Sequence, residues 1–444
     1  MFHFLRTSLY TLIIVCGLAA CTSATGTPAP TPAPTPSART STAQPLPPTS
    51  TPDTPLTLTL WLPTQFTPHA DNPAYQVLQR QLTDFAQTSD GAPSRLVVKQ
   101  DRGPGGLLDL LRTASLAAPG ALPDVIALDS ADLETAARAG LLKPIGSQLP
   151  ADLTNDLFPF ARTLGTLNGE TYGLVYSADL EHLVGNPLAG NPLTGNNATP
   201  LPPTWSALLD EALVGSPRRY VFVVGNNGSG VSDAVIAHYL SAGGSFTDSN
   251  GQPALAESAL QTLLETYQQA QTKGILPNNL TQFNNSNDLW TAWRSTSNAL
   301  LNLSASQYLS VEKRLPDLQY AALPALITAA PPIGHGWAYA VVTSDPRRQA
   351  AALRLLQYLL SPANSGAWTQ AVGTLPGRAA ALATWDANSY TSFLRDELTQ
   401  AQTAPSAAIM AVVGPPLRKA VEDVLAGRAT PAEAAHIAVN AVKK

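Results

Sequence analysis

The stretch that decides the fold is Gly165-Thr-Leu-Asn168-Gly169-Glu-Thr171-Tyr-Gly-Leu-Val-Tyr176-Ser177-Ala178-Asp179-Leu180. Asn168-Gly169 is the pair most favoured in two-residue hairpin loops, where both central residues need positive φ. Thr171 to Tyr176 then reads as a short strand, ending in the polar cluster Ser177-Ala178-Asp179. One set of strand and helix patterns precedes this stretch and a separate set follows it. The strand is therefore expected to cross from one lobe to another, with functional groups gathered where it crosses.

Upstream of it the chain alternates between strand and helix. Leu56-Thr-Leu-Thr-Leu-Trp61-Leu62 has period two, the mark of a half-buried strand, and Tyr75, Leu78, Leu82 and Phe85 follow at helical spacing. A strand at Arg95 to Lys99, a helix from Leu107 to Ala117 and the apolar run Pro123-Asp-Val-Ile-Ala-Leu128 come next. That run suits a strand covered on both faces. Asp129 and Ser130 are good caps for a helix over Ala131 to Ala139, stopped by Gly140. Strand–helix alternation implies a mostly parallel sheet with right-handed crossovers, and such sheets bind ligands at the carboxyl ends of their strands. Those ends are Leu62-Pro-Thr64-Gln65 and Asp129-Ser130.

Downstream, Gly185-Asn-Pro-Leu-Ala189 is nearly repeated as Gly190-Asn-Pro-Leu-Thr194 and reads as a surface loop. A second α/β pattern then begins: a helix capped by Thr204, an apolar strand from Arg219 to Val224, and the loop Gly225-Asn226-Asn227-Gly-Ser-Gly230. Ala299 to Leu303 is expected to be a strand, as is Gly334-His-Gly-Trp337-Ala-Tyr-Ala-Val-Val-Thr343, and helical patterns dominate from Asp345-Pro346 onward, including Pro415 to Ala426.

With 444 residues the chain is long for one core, which favours two lobes. A net charge of -5, 13% charged residues and no basic stripe argue against nucleic acid as a partner. At the N-terminus, Arg6 and the apolar Leu9 to Ala20 form a leader too short to span a bilayer, ending in Leu18-Ala19-Ala20-Cys21. Thr22 to Pro55 is rich in Thr and Pro and cannot bury enough apolar surface to fold. Proline biases it toward an extended stalk of up to roughly 100 Å. The only cysteines are Cys16 and Cys21, so no disulfide is expected in the body.

Cys21 with its preceding residues resembles the lipobox of bacterial lipoproteins, in which that cysteine carries the lipid. The body from Leu56 to Val442 resembles the extracellular solute-binding proteins of bacterial ATP-driven importers, the family that includes maltose-binding protein. Four stretches carry the likeness: Leu122-Pro-Asp-Val-Ile-Ala-Leu-Asp129 through Gly140-Leu-Leu-Lys-Pro144, Leu167 to Tyr176, Tyr239-Leu-Ser-Ala-Gly-Gly244, and Gly336 to Val342 with its following helix. The resemblance implies an α/β, two-lobed periplasmic-binding-protein-like fold (type II), with discontinuous lobes joined by crossing strands around a ligand cleft. It implies a leader at 1–20, a lipidated linker at 21–55, a first lobe at 56–177 and 320–362, and a second at 178–319 and 363–444. Its expected partners are a small solute, with sugar or oligosaccharide favoured, and an ABC permease in the membrane. The chain would be a lipid-anchored, extracytoplasmic monomer with no cofactor and no metal.

A sugar-like solute needs aromatic faces against its C–H patches and polar side chains for its hydroxyls. Matched residue by residue, the candidates are Thr64, Gln65, Asp129, Ser130, Tyr176, Ser177, Asp179, Asn226, Asn227, Tyr308, Trp337 and Arg378, with Tyr176 and Trp337 foremost. Simpler roles stand beside these: Asp129 as a helix cap, Asn226 and Asn227 as turn formers, Trp61 as core, and Trp290 with Trp293 as a packing pair. Trp368 and Trp385 read as structural. Two departures from the family pattern, Val412-Val413-Gly414-Pro415-Pro416 without an aromatic and the loop Gly185 to Pro203, argue against a malto-oligosaccharide-like ligand.

Catalytic motifs are absent. The six histidines include no H-E-x-x-H pair, no G-x-S-x-G elbow occurs, and Gly225 to Gly230 lacks the ending of a phosphate loop. An extracellular hydrolase with two distant carboxylates is one alternative reading. A lipid-anchored sensor or interaction protein reusing the fold is another.

Overall fold

The computed structural model describes residues 56–66, 71–185, 200–212, 218–225, 230–294 and 299–443. The leader, Cys21, the linker, most of the duplicated loop, Asn226 and Asn227 lie outside the described residues. The strands, in chain order, are β1 (Leu58–Pro63), β2 (Ser94–Lys99), β3 (Val125–Asp129), β4 (Thr166–Leu167), β5 (Glu170–Thr171), β6 (Gly173–Asp179), β7 (Glu181–Gly185), β8 (Arg219–Val221), β9 (Ala299–Ser304), β10 (Gln319–Ala321), β11 (Ile333–Val341) and β12 (Gln402–Thr403).

One sheet has the order β12-β11-β3-β1-β2, and β6 also pairs with β11. β1 runs parallel to β2 and β3, while β11 is antiparallel to both β3 and β6. β1 was expected to be half buried, but helices cover both of its faces. Leu58, Leu60 and Leu62 enter a core with Leu78, Leu82 and Phe85, while Trp61 enters a second with Leu107 and Leu111. The leucine–threonine alternation misleads here because Lys99 reaches over Trp61, 5.4 Å from the ring centroid, and completes that face.

The other sheet has the order β10-β7-β9-β8. Asn168 and Gly169 have φ of 52° and 82°, and turn β4 into β5 as the dipeptide requires. The strand that follows starts later than the expected Thr171, because Thr171 pairs back onto Thr166. β6 lies in the first sheet and β7 in the second, so the chain crosses over Asp179-Leu180-Glu181. It returns between β10, in the second sheet, and β11, in the first.

The C-terminal part departs from the expected division. The helix Pro362–Val372, expected in the second lobe, packs on the first-lobe helix Pro73–Ala86, and Gln81 Nε2 donates to the Asn364 carbonyl at 2.8 Å. β12 pairs parallel with β11 at Ile333 and Gly334. The helices Ala407–Leu425 and Pro431–Val442 do pack on the second-lobe helix Glu257–Thr272. The first of these begins eight residues before the expected Pro415 and carries Pro415 and Pro416 inside it.

Candidate functional site

The carboxyl ends of β1, β3 and β6 meet the start of the antiparallel β11, so polar residues from four strands share one edge. Trp337 pairs with Asp129 on one side and Ser177 on the other, and His335 pairs with Asp179. A cavity of about 280 Å³ opens there. Gln65, Asp129, Ser130, Ser177, Asp179 and Trp337 line it, as do Phe66, Arg102, Ser306, His335 and Thr374. The first six are sequence-read candidates brought together by the fold.

Asp129 has both roles considered for it. Its Oδ1 accepts from the Asp132 N–H at 2.8 Å, capping the helix Ser130–Arg138, and its Oδ2 accepts from Arg102 Nε at 2.6 Å on the cavity wall. Asp132 behind it is raised to about 6, by burial first and by the Asp129 charge second. Ser177 Oγ donates to Thr374 Oγ1 at 3.0 Å. Asp179 accepts from the Ser306 backbone N–H at 3.1 Å and from the Ser306 hydroxyl, which pins a second-lobe helix, Ala305–Val311, to the crossing. Burial raises the Asp179 carboxyl above its ordinary value, and the Ser306 bonds oppose that rise. Trp337 is half buried, its ring 5.5 Å from Phe66 in an edge-on contact.

The other candidates are placed elsewhere. A β-bulge puts Ser177 opposite Trp337 and Val175 opposite Ala338, leaving Tyr176 unpaired between them. Tyr176 turns into the core, stacked on Tyr339 and against Phe66 and Trp368, and its hydroxyl has no hydrogen-bond partner among the described residues. Thr64 is exposed and does not line the cavity; its hydroxyl donates to Asp101 Oδ1 at 3.0 Å. Tyr308 is buried among His182, Tyr320 and Tyr390. Arg378 is buried too, with its guanidinium on Asp156 Oδ2 at 2.8 Å and on the Leu360 carbonyl at 2.5 Å. It fastens a loop. Trp290 and Trp293 stack on each other with centroids 5.1 Å apart, and Trp385 Nε1 donates to the Gly366 carbonyl.

Arg102, Ser306 and Thr374 escape a sequence reading because they sit in turns or at a helix start, where no periodicity points inward. His335 was readable. It lies two residues before Trp337 on the same strand and therefore on the same face.

A buried chain of hydrogen bonds leads from the crossing into the second lobe. Tyr220 donates its O–H to Asn302 Oδ1 at 2.6 Å, so its oxygen is left to accept from His238 Nε2 at 3.3 Å. His238 Nδ1 then accepts from the Tyr267 hydroxyl at 2.8 Å, and Asn302 Nδ2 faces Glu181 Oε2 at 3.5 Å. Burial holds His238 neutral, its proton affinity lowered to about 3.

Another cavity, of about 250 Å³, lies beside Trp385, Asn388 and Tyr390. Two of its polar side chains are used locally: Asn388 Oδ1 caps Thr391, and the Thr391 hydroxyl donates to the Asp386 carbonyl. The cavity at the strand ends keeps hydroxyls, an indole face and two ion pairs at its wall. Both of its cations are already matched, Arg102 by Asp129 and His335 by Asp233. Among the described residues no group of three His, Cys, Asp or Glu is placed to hold a metal ion.

A sequence profile for bacterial extracellular solute-binding proteins matches residues 107–393. No curated protein matches the chain significantly. Among solved structures, it resembles a cyclic α-maltosyl-1,6-maltose binding protein from Arthrobacter globiformis, with a TM-score of 0.68 and 18% identity over 87% of this chain and 98% of that one. The sugar-binding protein MalE of Xanthomonas citri gives 0.68 and 18%, over 87% and 96%. An ABC transporter solute-binding protein of Thermotoga lettingae, bound with α-D-tagatose, gives 0.64 and 22%, over 87% and 98%. The chain thus shares their two-lobed α/β fold.

Proposed function

The chain belongs to the bacterial extracellular solute-binding protein family, and on that premise we propose that it captures a small uncharged polar solute, a sugar, by hinge closure of its lobes and delivers it to the permease of an ABC importer. The observation that carries this reading is the half-buried Trp337 at a cavity edged by Ser177, Asp179, Ser306 and Thr374. An indole face covers the apolar side of a pyranose, and hydroxyls and carboxylates bind its rim. Pairing of both cations within the wall, Arg102 with Asp129 and His335 with Asp233, favours a neutral solute over a phosphorylated or acidic one, because their charge is already offset. The structural neighbours named for maltosaccharides and tagatose support a carbohydrate.

In this reading Cys21 carries the lipid and 21–55 is the stalk, so the monomer works on the outer face of the cytoplasmic membrane. Cys21→Ser should release it from the membrane fraction; retention there would refute the anchor.

Thermal shift against neutral mono- and oligosaccharides, polyols, peptides and phosphorylated solutes tests the ligand. Binding only to the native state raises Tm by mass action. A rise confined to neutral sugars is expected. A rise confined to peptides or to phosphorylated solutes would overturn the carbohydrate reading.

A further inference from the structure

His335 belongs to β11 of the first lobe, yet its Nε2 bonds Asp233 Oδ2 at 2.7 Å. Asp233 opens the helix Asp233–Ser241, capped by Ser232, and that helix is locked into the second lobe by His238 between Tyr220 and Tyr267. The pair therefore joins the two lobes side chain to side chain, at the wall of the cavity and beside the crossing, where His335 lies opposite Asp179. Two more carboxylates face the imidazole, Asp179 from β6 and the buried Glu181 from β7. Arg102, the other cation at the cavity, is held by Asp129.

We propose that His335 is a positioning residue for lobe closure: protonated, it holds the cleft shut through Asp233, and separating the lobes breaks the pair, so capture and release of solute are linked to proton uptake and loss. The proposal rests on the hinge-closure reading, but its test needs no solute.

The sign follows from the surroundings. Asp233 first, then Glu181 and Asp179, raise the imidazole from 6.5 to about 9 against the cost of burial. Burial first, and the Asp233 charge second, raise Glu181 to about 8. Separating the lobes takes Asp233 away from the imidazole, so the closed form binds the His335 proton more tightly than the open one; Glu181 does not add to this, because its own rise comes from burial and from Asp233 on its own lobe, and His335 opposes it. Closure is then fully supported below the ordinary histidine range and is lost as pH rises through about 9. The His335 side chain is 46% accessible, so solvent screens part of the attraction.

The test uses the whole chain without added solute. Histidine Cε1–H resonances are titrated by NMR, with His335 identified by its loss in His335→Gln, and the radius of gyration is followed by X-ray scattering from pH 6 to 10. In the wild type, His335 should titrate at least one pH unit above the ordinary histidine value of 6.5, and the radius should grow as the pH rises. Asp233→Asn should lower the His335 midpoint by about a unit or more and be expanded already at pH 7. Near-UV circular dichroism checks that the variant is folded, and His335→Gln, which removes the titrating group itself, should give the same pH-independent radius if it is not. An ordinary His335 midpoint in the wild type, or one radius curve shared by wild type and variants, would overturn the latch. Sugar binding that persists beside that result would leave the binding reading standing, and absence of sugar binding would leave these readouts unaffected.

Discussion

Tyr176 stacks on Tyr339 with ring centroids 3.9 Å apart and planes 12° from parallel. The stack lies under the cavity floor, since Phe66 touches Tyr176 from above and itself supports Trp337. Two effects can be separated there. The Tyr176 hydroxyl is buried and has no partner among the described residues, and burial raises its ionisation well above the usual range. Tyr176→Phe removes that hydroxyl and should leave stability unchanged or raise it by up to about 1 kcal/mol. Tyr176→Ala removes the ring and should cost about 3–5 kcal/mol. Urea denaturation decides both; a Phe variant weakened by more than 1 kcal/mol would mean that the hydroxyl has a partner.

Trp337 is the complementary case, at the surface of the same aromatic stack. Trp337→Ala should weaken binding of whichever sugar raises Tm by about tenfold or more, in line with the loss of one desolvated aromatic contact. It should also abolish the change in intrinsic fluorescence on binding while far-UV circular dichroism stays as in the wild type. Unchanged affinity in titration calorimetry would remove Trp337 from the site.

The contrast between these two residues shows what was legible in the sequence. The Asn168-Gly169 turn and the buried β3 are local consequences of residue type, whereas the crossing falls at Asp179 to Glu181, after the strand expected to make it. The phase of β6 is not such a consequence. An extra residue at the bulge sends Tyr176 to the core and Ser177 to the cleft, and period two alone cannot say where such a residue sits. Arg102 and Thr374 come to the cavity from turns far apart in the chain, so only the assembled sheet brings them together. The C-terminal division fails for a related reason: Trp368 packs beside Tyr176, a contact that joins residues with no shared periodicity.

Glu397 titrates where stability can be read. Its carboxyl is buried, its Oε2 has no partner among the described residues, and burial, with Asp396 second, raises it from 4.5 to about 7. A raised folded pKa means that the folded state holds the proton better than the unfolded one. The stability it supports is present below the unfolded value of 4.5 and is lost as pH rises through about 7. Glu397→Gln should therefore raise stability at pH 8 by an amount on the order of 1–3 kcal/mol and change little at pH 4. Guanidinium midpoints at the two pH values give the answer, and equal shifts at both would refute the assignment.

Arg348 and Asp124 form the tie that holds the helix Pro346–Leu359 to the first sheet. Asp124, 2% exposed, accepts from Arg348 Nε at 2.7 Å and Nη2 at 2.6 Å, and its Oδ2 also accepts from the Thr59 N–H of β1 at 2.7 Å. Arg348 Nη2 reaches the Thr57 carbonyl as well, at 2.7 Å. Arg348→Ala leaves a buried carboxylate with a single backbone donor, which should cost about 3 kcal/mol; the one-third exposure of Arg348 lets water return and keeps the loss at the lower end for a broken buried pair. Arg348→Lys keeps the charge but loses the two-pronged geometry, and should recover less than half of that. Asp124→Asn in the Arg348→Ala background removes the stranded charge, so the double variant should be more stable than the sum of the single losses predicts. The tie lies away from the cavity wall, so solute affinity should stay within twofold in every variant that folds. Additive losses across the cycle would mean that the pair contributes no coupling, and that packing of the helix alone holds it to the sheet.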